Sequence, residues 1–173
     1  MASNSILAFV LAGGEGTRLH PLTRERAKPA LGFAGGYRLI DFVLSNLVNS
    51  GLRPIYILAQ YKPNSVLEHV AATWGPRVKV LLPRASNDGG YTGTATAVQQ
   101  NMDVVEREKP DLVAVFAADH VYRMDVRQMA GFHRARRAQV SVAAVAVPIE
   151  SAQSFGVIAT GRYGQVREFQ EKP

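Results

Sequence analysis

An α/β fold built on a central, largely parallel sheet is what these 173 residues predict, and three features predict it. Short apolar runs recur without the strict in-and-out alternation of a half-exposed strand, as expected of strands covered on both faces. Stretches with helical apolar spacing separate them, so strands and helices alternate and right-handed crossovers follow. A glycine-rich turn, "AGGEGTRL", directly follows the first run, at the strand end where such sheets bind ligands.

In chain order, "SILAFVLA" is the first strand, ended by Gly13 and Gly14. "IDFVLSNLVNSG" predicts a helix with Asp41 as N-cap, Val43, Leu44, Leu47 and Val48 on one face, and Gly51 as its stop. "PIYILAQ" is the second strand, and "PNSVLEHVAATWG" a second helix with Val66, Leu67, Val70 and Trp74 on its apolar side. "VKVLLP" follows as the third strand. "TGTATAVQQNMDVVERE" then predicts one helix with Ala95, Val98, Met102 and Val105 in a stripe. "DLVAVFAADH" is the fourth strand, ending at Asp119, with a helix over "MDVRQMAGFHRARRA" behind it. "VSVAAVAVP" predicts a fifth strand, and "FGVIAT" and "YGQVREFQEKP" a final pair of short strands joined by a turn. Neither repeats nor linkers interrupt the order, so a single domain over residues 1–173 is expected.

With 47% hydrophobic and 20% charged residues the chain has the composition of a soluble globular protein. A formal net charge of +6 favours anionic partners: nucleic acid, anionic lipid or small phosphorylated molecules. The absence of cysteine excludes disulfides and thiolate metal sites and fits a reducing, cytoplasmic location. No basic residue precedes the apolar run Ile6 to Ala12 and no small-residue cleavage pattern follows it, so it is not read as a signal peptide. No stretch approaches the roughly 20 apolar residues of a membrane span. The basic cluster "HRARRA", with Arg134, Arg136 and Arg137, reads as a solvated last helical turn, and no RNA- or DNA-binding motif accompanies it. Neither a nucleic-acid nor a membrane partner is therefore expected.

Gly13, Gly14 and Gly16 allow backbone N–H groups to come close to an anion. The loop is not a Walker A motif, because Gly16 is followed by Thr17 and Arg18 rather than Lys-Ser/Thr. Nor is it a dinucleotide fingerprint, since Leu19, His20 and Pro21 stand where a helix would have to open. Its plain alternative is a tight turn with a solvated basic loop. Against that, Arg18, Arg24, Arg26 and Lys28 are opposed only by Glu25, and such a cluster repels itself unless an anion joins it. A triphosphate would supply one.

The segment "LAGGEGTRLHPLTRERAKPA" resembles the signature of the sugar-phosphate nucleotidyltransferases. "GGYRLIDFVLSN", "NSG", "QYKPNSVLEH", "GTATAVQQN", "DHVYRMD", "FGVI" and "FQEKP", in that order, extend the likeness to the glucose-1-phosphate adenylyltransferase branch, also called ADP-glucose pyrophosphorylases. The resemblance implies a Rossmann-like mixed, mostly parallel sheet flanked by helices. It implies transfer of the adenylyl group of ATP to glucose 1-phosphate, giving ADP-glucose and pyrophosphate for glycogen or starch synthesis, with Mg²⁺ as cofactor.

By the same resemblance, Leu11, Ala12, Gly13, Gly14, Gly16 and Thr17 hold the nucleotide, Arg18 meets its phosphates and Lys28 the reacting groups. Asp119 binds the metal, and a carboxylate at a strand end suits that task. Tyr91, Gly93 and Thr94 line the nucleotide pocket, Tyr91 near the adenine, with Gln60 and Tyr61 as lesser candidates. Gly156, Glu171 and Lys172 fall on the sugar-phosphate side. His120 reads as a packing or orienting residue rather than a metal ligand.

Two positions depart from the family pattern: Thr96 stands where Asp is common and Ala118 where Gly is frequent. Members of the family also continue past "EKP" with more of the sugar pocket, a second metal-binding carboxylate and a C-terminal β-helix, and assemble as homo- or hetero-tetramers. The chain therefore reads as the N-terminal portion of a catalytic domain. Its alternatives are a nucleotide-binding module without turnover, or a transferase using another nucleoside triphosphate or sugar phosphate.

Overall fold

A computed structural model of the protein describes residues 5–84 and 90–173. It divides into two compact units, Met1–Arg136 and Arg137–Pro173.

The first unit is organised by a four-stranded sheet. Its strands are β1 (Ile6–Ala12), β4 (Ile55–Ala59), β5 (Val78–Leu81) and β6 (Leu112–Ala117), in the spatial order β5-β4-β1-β6. Every pairing among them is parallel, with Ala8 opposite both Ile55 and Ala114. The continuous apolar runs are explained by burial on two sides. Ile6, Ala8, Val10 and Ala12 of β1, with Ile55, Ile57 and Ala59 of β4, face one core. That core is completed by Ile40, Val43, Leu44 and Leu47 of α1 (Leu39–Asn49), Val66 and Val70 of α2 (Pro63–Thr73), and Val126 and Ala130 of α5 (Val126–Ala135). Leu7, Phe9, Tyr56 and Leu58 point the other way and meet Tyr91, Ala97 of α3 (Thr94–Gln99) and Val104 of α4 (Met102–Glu108). Each fully buried Leu or Phe contributes about 1.5–3 kcal/mol, so β1 and β4 anchor the unit.

Several local expectations are corrected. Asp41 is not the N-cap of α1 but its third helical residue, reaching back to accept the Arg38 backbone N–H at 2.7 Å. The single helix expected over 92–108 is two, because Asn101 turns its side chain onto the Ala97 carbonyl at 2.8 Å and ends the first segment. That break rephases the apolar stripe: Ala97 and Val104 are buried, whereas Ala95 and Met102 are exposed. Strand β6 stops at Ala117, so Asp119 lies in the turn beyond it. Val113 and Val115 of this edge strand are 42% and 48% exposed, so its run is not covered on both faces. A two-residue ladder of β2 (Gly32–Phe33) and β3 (Tyr37–Arg38), which the sequence did not announce, leads into α1.

In the second unit, β7 (Gly156–Thr160) and β8 (Val166–Glu171) form the expected antiparallel pair. The fifth strand expected over 140–148 is absent: that segment is in no helix or strand, with Val140 and Val145 78% and 84% exposed. β-branched residues favour a strand only where a neighbouring chain offers hydrogen bonds and a surface to pack on. Among the described residues, no helix is long and apolar enough to cross a membrane.

Candidate active site

Parallel strands deliver their carboxyl ends to one side of the sheet, and there the first unit opens a cavity of about 560 Å³. Leu11 and Ala12 at the end of β1, Leu58 at the end of β4 and Ala117 at the end of β6 form its floor. The glycine loop forms one wall. Gly16 takes a left-handed backbone (φ 66°), and a Cβ there would lie 3.0 Å from Thr23 Cγ2 and 3.2 Å from Lys28 Cβ. Only glycine meets both demands. The buried Thr23 hydroxyl donates to the Gly16 carbonyl at 2.9 Å, pinning the loop, and a short turn over Thr17–Leu19 then puts Arg18 on the cavity.

Lys28 is held from both sides. Before it, the Ala27 N–H donates to Ser65 Oγ at 3.0 Å; after it, the Arg38 guanidinium donates to the Ala30 carbonyl at 2.7 Å. Its own Nζ donates to Asp119 Oδ2 at 2.6 Å, the two side chains being 34% and 29% exposed. Behind this arrangement sits a buried hub. Burial opposes ionisation of Asp41, but hydrogen bonds from the His69 ring, the Arg38 N–H and the Trp74 indole outweigh it and hold the carboxyl below its usual value. The hub ties α2 to the start of α1, the two supports of Lys28.

The opposite wall is Gln60, Tyr91, Gly93 and Thr94. Gln60 Oε1 accepts the Tyr91 N–H, and the Tyr91 hydroxyl accepts from Asn101 at 3.1 Å. Tyr91 is thus buried (9% exposed) and packed with Leu58 and Ala97, a fixed wall whose surface meets the cavity. Thr96, the departure from the family pattern, shares a hydrogen bond with Thr92 at 3.0 Å. Ala118 is buried, its N–H given to the Leu11 carbonyl.

Thirteen of the residues expected at the site therefore line one cavity: the six loop positions from Leu11 to Thr17 named above, Arg18, Lys28, Gln60, Tyr91, Gly93, Thr94 and Asp119. Others fall elsewhere. Arg24 and Arg26 are exposed and outside the lining, so of the four cations that cluster in sequence only Arg18 and Lys28 meet at the cavity. Tyr61 stands behind the loop, its hydroxyl 3.5 Å from the Thr23 carbonyl. Gly156, Glu171 and Lys172 belong to the second unit, where Gly156 pairs with Glu171 across the hairpin and the Glu171 and Lys172 side chains lie 3.7 Å apart, both exposed. His120 is not packed; its side chain is 69% exposed, 3.8 Å from Asp119. Leu19, Pro29, Leu58, Thr92, Ala97 and Ala117 also line the cavity without having been anticipated. For Leu58 and Ala117, their places at the ends of parallel strands were the available signal.

Among the described residues no cluster of three or more His, Asp or Glu could hold a metal by itself. Asp119 is a hard oxygen donor on a cavity lined by glycines, Arg18 and Lys28, which fits a Mg²⁺ that takes one carboxylate and completes its shell with ligand phosphates and water.

The nucleotidyl transferase family model matches residues 7–173. Glucose-1-phosphate adenylyltransferases from Corynebacterium glutamicum and Streptomyces avermitilis are each 51% identical over 98% of this chain, and one from Vibrio cholerae is 46% identical over 97%. The chain spans 43–44% of the length of these relatives.

Proposed function

Because the chain belongs to the nucleotidyl transferase family, we propose that it carries the nucleotide-binding and phosphoryl-activating half of an enzyme that transfers the adenylyl group of ATP to glucose 1-phosphate, releasing pyrophosphate. The observation that supports this reading is the convergence of Arg18, Lys28 and Asp119 on one glycine-lined cavity.

The chemistry asks for what this cavity offers. A sugar-phosphate oxygen attacks the α-phosphorus of the triphosphate in line; the bond to the bridging oxygen breaks, and pyrophosphate leaves with the electron pair. The nucleophile is already an anion, so no base is needed. The obstacle is bringing two anions together while charge grows on the leaving group. Backbone N–H groups of the glycine loop and the Arg18 fork receive the phosphate tail, and Lys28 serves as a compact charge beside the reacting phosphate. Bound by Asp119 and the phosphates, Mg²⁺ would supply further charge neutralisation. The apolar floor and the Gln60–Tyr91 wall take the nucleoside end. Assignment of Gly156, Glu171 and Lys172 to the sugar phosphate rests on the resemblance, as do a place in glycogen or starch synthesis and a cytoplasmic location.

Purified protein supplied with ATP, glucose 1-phosphate and Mg²⁺ is expected to release pyrophosphate. Faster release with UTP or GTP would overturn the choice of nucleotide. A thermal shift with ATP but no pyrophosphate from any sugar phosphate would make the chain a nucleotide-binding module without turnover.

A further inference from the structure

A second cleft lies at the opposite end of the first unit's sheet, where β1 and β4 begin. It has a volume of about 360 Å³ and runs between the segment Ser50–Arg53 and one stripe of α5. That volume falls within the range of small-ligand clefts, about 300–1,000 Å³. The stripe consists of Arg127, Ala130, Gly131 and Arg134, spaced so that all four share a helix face. Two arginines therefore bracket two small residues, and Arg53 closes the cleft from the other side.

The charges in this cleft are not balanced from within. Asp125, the N-cap of α5, accepts both Nε and Nη2 of Arg127 at 2.9 and 2.8 Å. Asp111, which reaches the Ser5 end of the cleft, is turned onto the backbone N–H of Ser5 at 2.8 Å. Arg53 and Arg134 have no ion pair or hydrogen bond from their guanidinium groups among the described residues. Gly131 is a further oddity. Glycine inside an exposed helix costs about 1 kcal/mol relative to alanine, yet a Cβ at this position would meet nothing within 4 Å. No neighbour requires its absence, and the bare backbone leaves this part of the cleft open.

We propose that this cleft binds a phosphomonoester or inorganic phosphate dianion, with Arg53 and Arg134 gripping its oxygens over the bare backbone of Gly131. The site is separate from the glycine-loop cavity and shares no residue with it. A small ligand fits better than a polynucleotide because the three arginines line one cleft of small-ligand size and no aromatic side chain lines it for base stacking.

The test uses the full chain carrying Arg18→Ala and Lys28→Ala, so that phosphate cannot report on the nucleotide cavity. Calorimetric titration with inorganic phosphate, and separately with glycerol 3-phosphate, is expected to show one site. Arg53→Gln and Arg134→Gln should each weaken it about tenfold or more, the loss of one charge-assisted contact. Gly131→Leu should fill the groove and abolish binding while leaving the melting temperature equal or higher, which separates loss of the site from loss of the fold. Tighter binding of the ester than of phosphate identifies an ester as the ligand; equal binding identifies the free anion. Unchanged affinity in all three variants, or no binding at millimolar concentrations, would overturn the proposal. So would preferential, steeply salt-dependent binding of a single-stranded oligonucleotide that Arg134→Gln abolishes, since the partner would then be a nucleic acid.

Discussion

Lys28 and Asp119 are 91 residues apart in sequence, and their side chains meet at 2.6 Å across the mouth of the parallel sheet. Both are about one-third exposed, so the pair adds no more than about 1 kcal/mol to folding. Lys28→Ala is therefore expected to leave the melting temperature almost unchanged while slowing pyrophosphate release about 100-fold, the loss of about 3 kcal/mol of preorganised charge stabilisation. A melt and a pyrophosphate assay on the same preparation check both halves; a large fall in stability would mark the pair as structural instead.

Asp119 should show its role through the metal. In the native protein Mg²⁺ is expected to tighten ATP binding, and in Asp119→Ala that enhancement should be much smaller, because the metal keeps only its phosphate ligands. Calorimetry reads this without requiring turnover, and an undiminished Mg²⁺ effect would place the metal on other groups.

Two glycines of one loop should behave differently. Gly16→Ala forces a left-handed residue to carry a Cβ against Thr23 and Lys28, at a cost of about 1–3 kcal/mol in stability. At Gly14 a Cβ would meet nothing within 4 Å, so Gly14→Ala should fold normally. It nonetheless lines the cavity, where the methyl group would stand in the path of a phosphate. Gly14→Ala is expected to keep its melting temperature and lose the stabilisation that ATP confers.

Asp41 gives a pH signature. Its carboxyl ionises below the ordinary 3.8 in the folded protein, so its contribution to stability is complete above that value and disappears as pH falls through the lower folded one. Asp41→Asn keeps the size but not the charge, and should cost about 2–4 kcal/mol near neutrality by leaving His69, Trp74 and the Arg38 N–H poorly matched. Its acid-unfolding profile below pH 4 should be flatter than the native one. Equal slopes for the two proteins would rule out Asp41 as the group responsible.

What the sequence revealed depended on how local the cause was. The glycine loop was legible because turn chemistry is a short-range signal, whereas Arg18, Lys28 and Asp119 took their roles from the family resemblance, since a cation cluster and an Asp after an apolar run do not by themselves tell a site from a solvated loop or a turn. Asp41 looked like an N-cap since the sequence shows an acid near a helix start but not the Arg38 N–H to which it turns back. The helix break at Asn101 depends on one side chain competing for the Ala97 carbonyl, which spacing alone does not show. "VSVAAVAVP" has the composition of a strand and no strand partner in its own unit. Arg24 and Arg26 share the cation cluster but not the cavity, because proximity along a loop says nothing about which way a side chain faces.

Gln60 and Tyr91 form the wall of the cavity opposite the glycine loop. Gln60 accepts the Tyr91 N–H, and Gly90 leaves room for nothing but the Gln60 amide, where a Cβ would lie 3.0 Å from its oxygen. Gln60→Ala thus leaves a buried backbone donor unpaired and opens a void beneath the wall, a loss of about 1–3 kcal/mol in stability. On the proposed reading that this wall takes the nucleoside end, the variant should bind ATP more weakly while binding pyrophosphate as the native protein does. Arg18→Ala should weaken both. Titrating each variant with ATP and with pyrophosphate gives four affinities, and an equal loss of pyrophosphate binding in Gln60→Ala would move the nucleoside end of the site away from the Gln60–Tyr91 wall.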